Sequence, residues 1–368
     1  MKTRNLSIST AAAILLVLGS SAFAYRQVVD LGTLGGTTSG AYSINDNGMI
    51  VGYAWNGSSY NRACIFDSTG RGANIDLGTV GGSDSWAWSV NNNGKIAGMA
   101  YDTSGNGQSC LFDSTGAGAN KNLGNLGRSV GSAASINNSG QIVGRAYTSS
   151  STDHACLFDS TGNGVNKDLG TLGGQMSIAR SINEKGEIVG AAYNALGRQQ
   201  ACLFDPTGGG ANKGLGTLGG LLSGAYSIND SDQIIGYSLT GSGYNHACLF
   251  DATGGGANID LGVVSGFAES LAWYNNDIGQ IVGEIRNGGN SHACLFDSTG
   301  QGNNIDLNTL IDPSSHWTLV RAECINSNGW IVGEGINPDG YIHAFLLTPD
   351  PATLLLFALG GLALRRKR

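Results

Sequence analysis

Apolar residues in this chain come in short bursts, set apart by glycine, asparagine, serine and threonine. Ser43-Ile44 leads into Asn45-Asp46-Asn47-Gly48, then Met49-Ile50-Val51-Gly52; after a variable stretch come Ala63-Cys64-Ile65-Phe66 and, past a Ser-Thr-Gly-rich turn, Asn74-Ile75-Asp76-Leu77-Gly78. Bursts of this length bounded by turn residues predict β-strands, and no segment outside the two termini has helical periodicity. Four short strands are expected per unit, near 41–44, 49–55, 63–66 and 74–77. The Asn47-Gly48 pair is a two-residue hairpin signal joining the first two strands, and residues 67–72 form the turn between the last two.

The same text recurs. Leu31, Leu77, Leu123, Leu169, Leu215, Leu261 and Leu307 stand 46 residues apart, so the chain between its ends is one unit written seven times. A period of 40 to 50 residues signals a propeller or a solenoid. The ends decide between them. Val28-Val29-Asp30-Leu31-Gly32 is a fourth-type strand with no third before it, and His343-Ala344-Phe345-Leu346-Leu347 is a third-type strand with no fourth after it. Pairing them closes a ring and removes the unpaired edges of a linear stack. The expected fold is all-β, a seven-bladed β-propeller spanning 25–348 and closed by its N- and C-terminal strands. A β-solenoid, which would want atypical capping units, is the alternative.

Composition adjusts this picture little. The 60 glycines among 368 residues are about twice the usual share and the 13% charged residues about half of it, as suits a turn-dense β protein. Net charge is −7 and no Lys/Arg cluster lies outside the termini, which excludes nucleic acid as a partner. Cys64, Cys110, Cys156, Cys202, Cys248 and Cys294 also stand 46 apart. Equivalent atoms of neighbouring units lie too far apart for a disulfide, so these thiols read as small buried hydrophobes. Phe345 takes the equivalent place in the seventh unit.

The ends carry targeting text. Lys2 and Arg4, an apolar stretch over 11–18 and Ala22-Phe23-Ala24 have the layout of a secretory signal over 1–24, cleaved after Ala24 with Ala22 as the other small residue. The last residues, 349–368, run Pro349-Asp350-Pro351, an apolar stretch, then Arg365-Arg366-Lys367-Arg368. A rigid extended element, a bilayer-partitioning run and terminal cations suit a sorting signal or a plain transmembrane anchor. This tail resembles the PEP-CTERM signal of bacterial exported proteins, with Asp350 where that family has Glu. The resemblance implies an exosortase-type processing enzyme as partner, transient inner-membrane anchoring through the tail, and delivery to the cell envelope, cell surface or medium. The repeat text resembles the HAF repeat family of bacterial extracellular proteins: His343-Ala344-Phe345 is intact, and His154-Ala155-Cys156, His246-Ala247-Cys248 and His292-Ala293-Cys294 are variants of it. That resemblance implies export and a repeat scaffold, and carries no activity with it.

Residues present in every unit point first to structure. Asn45, Asn91, Asn137, Asn183 and Asn229 are expected to close the first hairpin through their side-chain amides. The Asp67 turn and its copies offer hard oxygen ligands, a weak calcium possibility against an Asx turn; otherwise no cofactor is expected. Trp55, Tyr101, Tyr147 and Tyr193 end second strands in series, where packing between blades is expected before sugar stacking. The symmetry breaks are more informative. The loops between second and third strands vary, and they share a face with the fourth-to-first connections; that face is the expected recognition surface. The seventh unit lengthens such a connection, Leu307 to Ile325 being 18 residues against 13 from Leu31 to Ile44, and so adds His316 and Trp317. Together with the charged exceptions Arg180 and Glu323 these form the candidate ligand face. The expected function is an exported, non-enzymatic surface or extracellular-matrix repeat protein, a binding scaffold for polysaccharide or surface-protein partners. A propeller-fold glycan lyase or hydrolase is the alternative. It would need convergent carboxylates or a Tyr/His pair on one face, and the text has no Gly-x-Ser-x-Gly, His-Glu-x-x-His or paired acidic motif.

Overall fold

The computed structural model describes residues 25–349. They form seven four-stranded antiparallel sheets arranged as a β-propeller. Blade 1 is Gly35–Ile44, Ile50–Asn56, Asn61–Phe66 and Ile75–Asp76, and the later blades repeat it. Blade 7 takes Thr318–Ile325, Ile331–Ile336 and Ile342–Pro349 from the end of the chain and its fourth strand, Tyr25–Asp30, from the beginning. Val28 pairs with Leu347, Val29 with Leu346 and Asp30 with Phe345, the closure that the incomplete end units imply. Pro349 ends that third strand opposite Tyr25. Ala22, Ala24, Asp350, Pro351, Arg365, Arg366, Lys367 and Arg368 lie outside the described residues.

Apolar side chains pack blade against blade. Val51, Ala63 and Leu77 of blade 1 meet Ala87, Ile96, Cys110 and Phe112 of blade 2 in one buried cluster, and equivalents recur around the ring. The cysteines are free and buried at these seams, with Cys324 of blade 7 among them. Burial pushes the Cys110 and Cys202 thiols up to about 12.

Two polar devices tie the blades. Asn45 accepts hydrogen bonds at Oδ1 from the backbone N–H of Asn47 (3.1 Å) and Met49 (2.8 Å), which closes the hairpin as expected. Its Nδ2 also donates to the carbonyl of Asn91 in the next blade at 2.8 Å. Asn91, Asn137, Asn183, Asn229 and Asn276 repeat the donation, and Asn326 returns it to the carbonyl of Asn45 at 3.1 Å. A closed circle of buried hydrogen bonds thus runs round one end of the ring. Farther out, Asn74 caps its own turn by accepting from Asp67 N (2.9 Å) while donating to Leu31 O of the neighbouring blade (2.8 Å). The third-strand histidines pair with fourth-strand aspartates, His154 with Asp168, His246 with Asp260 and His292 with Asp306; His343 finds Asp30 across the closure at 2.9 Å.

Each first strand carries a bulge. In blade 1 the register steps from Ala41 opposite Gly52 to Ser43 opposite Val51, leaving Tyr42 unpaired, and the step recurs in every blade. The glycine opposite is required by close approach: a Cβ at Gly52 would collide with the carbonyl oxygen of Gly40. A bulge re-aims the extra side chain.

Candidate active site in the central channel

The bulged residues are Tyr42, Trp88, Ala134, Arg180, Tyr226, Trp273 and Glu323, and all seven line a cavity of about 760 Å³ in the middle of the ring. Its mouth is lined by Asn45, Asp46, Asn91, Asn92 and Ser327, so it opens on the side of the first-to-second-strand turns. The variable loops, expected to form the recognition surface, lie on the opposite face. Of the four residues expected to form a ligand face, Arg180 and Glu323 come to the cavity. His316 and Trp317 do not. His316 is an exposed left-handed residue (φ 55°) ending the 3-10 turn Pro313–Ser315, and Trp317 packs beside Gly335 against the blade 6–7 core. Glu323 is a further six residues along the strand, about 20 Å at 3.3 Å per residue.

Two aromatic arcs form much of the wall. Tyr42 and Trp88 have ring centroids 4.7 Å apart, and Tyr226 and Trp273 are 4.3 Å apart. Arg180 lies over the Tyr226 ring at 4.7 Å and Arg321 over Trp273 at 5.2 Å. The series Trp55, Tyr101, Tyr147 and Tyr193 stays half-buried at the ends of second strands; Tyr101 meets Trp86 of its own blade edge-on at 5.7 Å, packing within a blade rather than between blades.

Where blade 7 meets blades 1 and 6, charges converge. Arg321 Nη1 donates to Glu323 Oε1 at 3.1 Å, and its Nε stands 3.4 Å from Glu284 Oε2. Glu284, almost fully buried, also accepts from Arg286 Nη2, from Trp273 Nε1 at 3.1 Å and from Ser291 Oγ at 2.8 Å. Burial opposes its ionisation, but these donors and the two guanidinium charges prevail and hold its carboxyl below the usual range. Glu323 goes the other way. Burial, reinforced by the charge of Glu334 and countered by Arg321, pushes its carboxyl up to about 7. Glu334, directly opposite Arg321 across the blade, is also raised, by burial above all, while a hydrogen bond with Tyr53 holds it back. Gly40 makes room for this group, since a Cβ there would collide with Glu334 Oε1. The arrangement raises one carboxyl toward neutrality beside a fixed cation and a carboxylate held low, which suits acid–base chemistry.

The Asp67 turn shows its carboxylate accepting from Thr69 Oγ1 at 2.5 Å and from the N–H of Gly72 and Arg71 at 2.6 and 3.1 Å, an Asx turn cap.

No family model matches the chain, and no curated protein matches it. Among solved structures it is similar to a gluconolactonase from Xanthomonas campestris described as important in glucose secondary metabolic pathways, at 12% identity and a TM-score of 0.43, over 90% of this chain and 93% of that one. That likeness carries no argument about activity. The expectation of a non-enzymatic scaffold is nevertheless corrected. What the enzymatic alternative requires, converging carboxylates, is present at Arg321, which gathers Glu323 on the cavity wall with Glu284 and Glu334 beside it.

Proposed function

We propose that the protein is an exported enzyme that cleaves glycans in its central channel, by hydrolysis or elimination, with Glu323 as the proton donor. The observation that carries the reading is Glu323 on the wall of an aromatic-lined cavity, bonded to Arg321 with Glu284 and Glu334 beside it, where burial raises the Glu323 carboxyl to about 7. A group with such a pKa donates a proton at neutral pH and is easily recharged, so it can protonate the glycosidic oxygen as the C–O bond breaks. Arg321, pinned from behind by Glu284, fixes the Glu323 carboxyl. Glu334 with Tyr53 supplies a second acid–base group beside it. Tyr42, Trp88, Tyr226 and Trp273 offer apolar faces on which sugar rings stack. The signal at 1–24, the HAF-type repeats and the PEP-CTERM-like tail support delivery to the envelope or beyond, with an exosortase-type enzyme acting on the tail and extracellular polysaccharide within reach.

The test is turnover of a panel of neutral and acidic polysaccharides, followed by reducing-end release and by absorbance of unsaturated products. Wild-type protein should turn over at least one substrate, with activity falling as pH rises through about 7. Glu323→Gln should lose about 10²- to 10⁴-fold. No turnover by the wild type, or undiminished turnover by Glu323→Gln, overturns the proposal.

A further inference from the structure

The channel holds one arginine without an ion pair among the described residues. Three arginines line it. Arg145 is paired with Asp153 at 2.7 Å, and Arg321 with Glu284 and Glu323. Arg180 has no ion pair among the described residues, and its buried Nε reaches no acceptor. It projects from the bulge of blade 4 with its guanidinium over Tyr226. Stacking fixes the plane of the fork and leaves its edge donors to an incoming partner. The next bulge residue round the ring, Ala134, is the smallest of the seven and leaves space beside it.

We infer that the channel selects an anionic saccharide, a glycan containing uronic acid, and that Arg180 takes the sugar carboxylate. The inference rests on the reading of the channel as a glycan site and names its substrate class. A half-buried guanidinium without a counter-ion is costly in the free protein, and a planar carboxylate matches its fork with two charge-assisted hydrogen bonds. The flanking aromatics, Trp88 on one side of Ala134 and Tyr226 under Arg180 itself, suit the ring that carries the carboxylate. The acidic groups at the mouth do not supply this selectivity. Asp46, Glu184, Asp230 and Asp277 each accept a backbone N–H from the preceding blade, and their field is screened within about 8 Å at physiological ionic strength. Discrimination is set inside, at Arg180.

Calorimetric binding separates this inference from turnover. Trigalacturonate and trimannuronate, each compared with its methyl ester, are titrated into wild-type protein and into Glu323→Gln. At least one acid should bind tenfold or more tightly than its ester in both proteins. In Arg180→Gln the preference should fall to near unity, and in Arg180→Lys, which keeps the charge and loses the fork, by at least threefold. Absence of an acid-over-ester preference, or a preference intact in Arg180→Gln, overturns the inference; where circular dichroism shows Arg180→Gln unfolded, an undiminished preference in Arg180→Lys does so. Acid-selective binding without turnover of any glycan leaves the Arg180 site standing and removes the cleavage reading. Turnover of neutral glycans with no acid preference does the reverse.

Discussion

Replacing Glu323 by Gln should stabilise the protein while lowering the proposed glycan turnover, and the size of the gain should follow pH. The carboxyl has an ordinary value of 4.5 and is raised to about 7 in the fold. An acid whose pKa is raised on folding leaves stability untouched below its unfolded value, and destabilises progressively as pH climbs from 4.5 to 7, because the fold resists giving up the proton. The shift of about 2.5 units corresponds to about 3 kcal/mol at 1.36 kcal/mol per unit. The side chain retains only 12% exposure, so solvent screening takes little from that figure. Gln has the same shape, keeps an oxygen for Arg321 Nη1, and does not ionise. Urea denaturation of both proteins across pH 4 to 8 gives the difference directly, since other titrating groups are common to the two. Stabilities should agree within about 1 kcal/mol at pH 4.5 and diverge to about 3 kcal/mol in favour of the variant by pH 7 to 8. A difference that is flat with pH, or a variant less stable than wild type at pH 8, would refute both the raised carboxyl and its use as the proton donor.

Other outcomes follow from the frame. Gly190→Ala should destabilise by about 3 kcal/mol, the upper end of overpacking, because its Cβ would collide with the carbonyl oxygen of Ile178 at the bulge that presents Arg180; thermal melting measures it. Asn91→Ala removes one inter-blade bond and two hairpin bonds (to Asn137 O, from Asn93 N and from Lys95 N) and should cost about 2 to 3 kcal/mol in the same assay. Asp30 is held below its usual value: burial opposes the shift, but the His343 hydrogen bond and the N–H of Gly32 outweigh it. Asp30→Asn should therefore weaken ring closure at pH 7, with the loss disappearing as wild-type Asp30 protonates below the ordinary carboxylate range, read by hydrogen exchange at Val29 and Leu346. Finally, an aromatic disulfide reagent should titrate none of the seven cysteines in native protein and all seven in guanidinium, since each is buried.

The unequal legibility of fold and site has a physical origin. A blade is a local object: hairpin asparagines such as Asn45 and Asn91, seam residues such as Leu77 and Cys110 and close-approach glycines such as Gly52 must recur wherever a blade recurs, so the 46-residue period announces the architecture. Ring closure was legible for the same reason, because an unfinished unit at each end leaves an unpaired edge. The channel obeys the opposite rule. Its wall residue sits on a bulge, outside the ladder and outside the seams, so the scaffold does not dictate it. Tyr, Trp, Ala, Arg, Tyr, Trp and Glu occupy it in turn. The signal is the freely varying position after a recurring alanine (Ala41, Ala87, Ala133, Ala179, Ala225, Ala272 and Ala322), as in Ala41-Tyr42-Ser43-Ile44 and Ala179-Arg180-Ser181-Ile182. The charged exceptions Arg180 and Glu323 occupy that position, whereas the insertion that carries His316 and Trp317 lies away from the cavity. Neither signal marks Glu284 or Glu334, because they sit in second strands and reach the cluster across the ladder, Glu334 opposite Arg321 in register. In a propeller, then, chemistry is to be sought where the repeat is indifferent to residue type and the geometry is not: at the bulged position, where seven side chains from distant parts of the chain face one axis. A variant that exchanges bulge residues between blades, such as Tyr226→Arg with Arg180→Tyr, should therefore keep the fold and its melting temperature within a few degrees while moving or losing saccharide binding; a collapse of the fold would show that the position is structural after all.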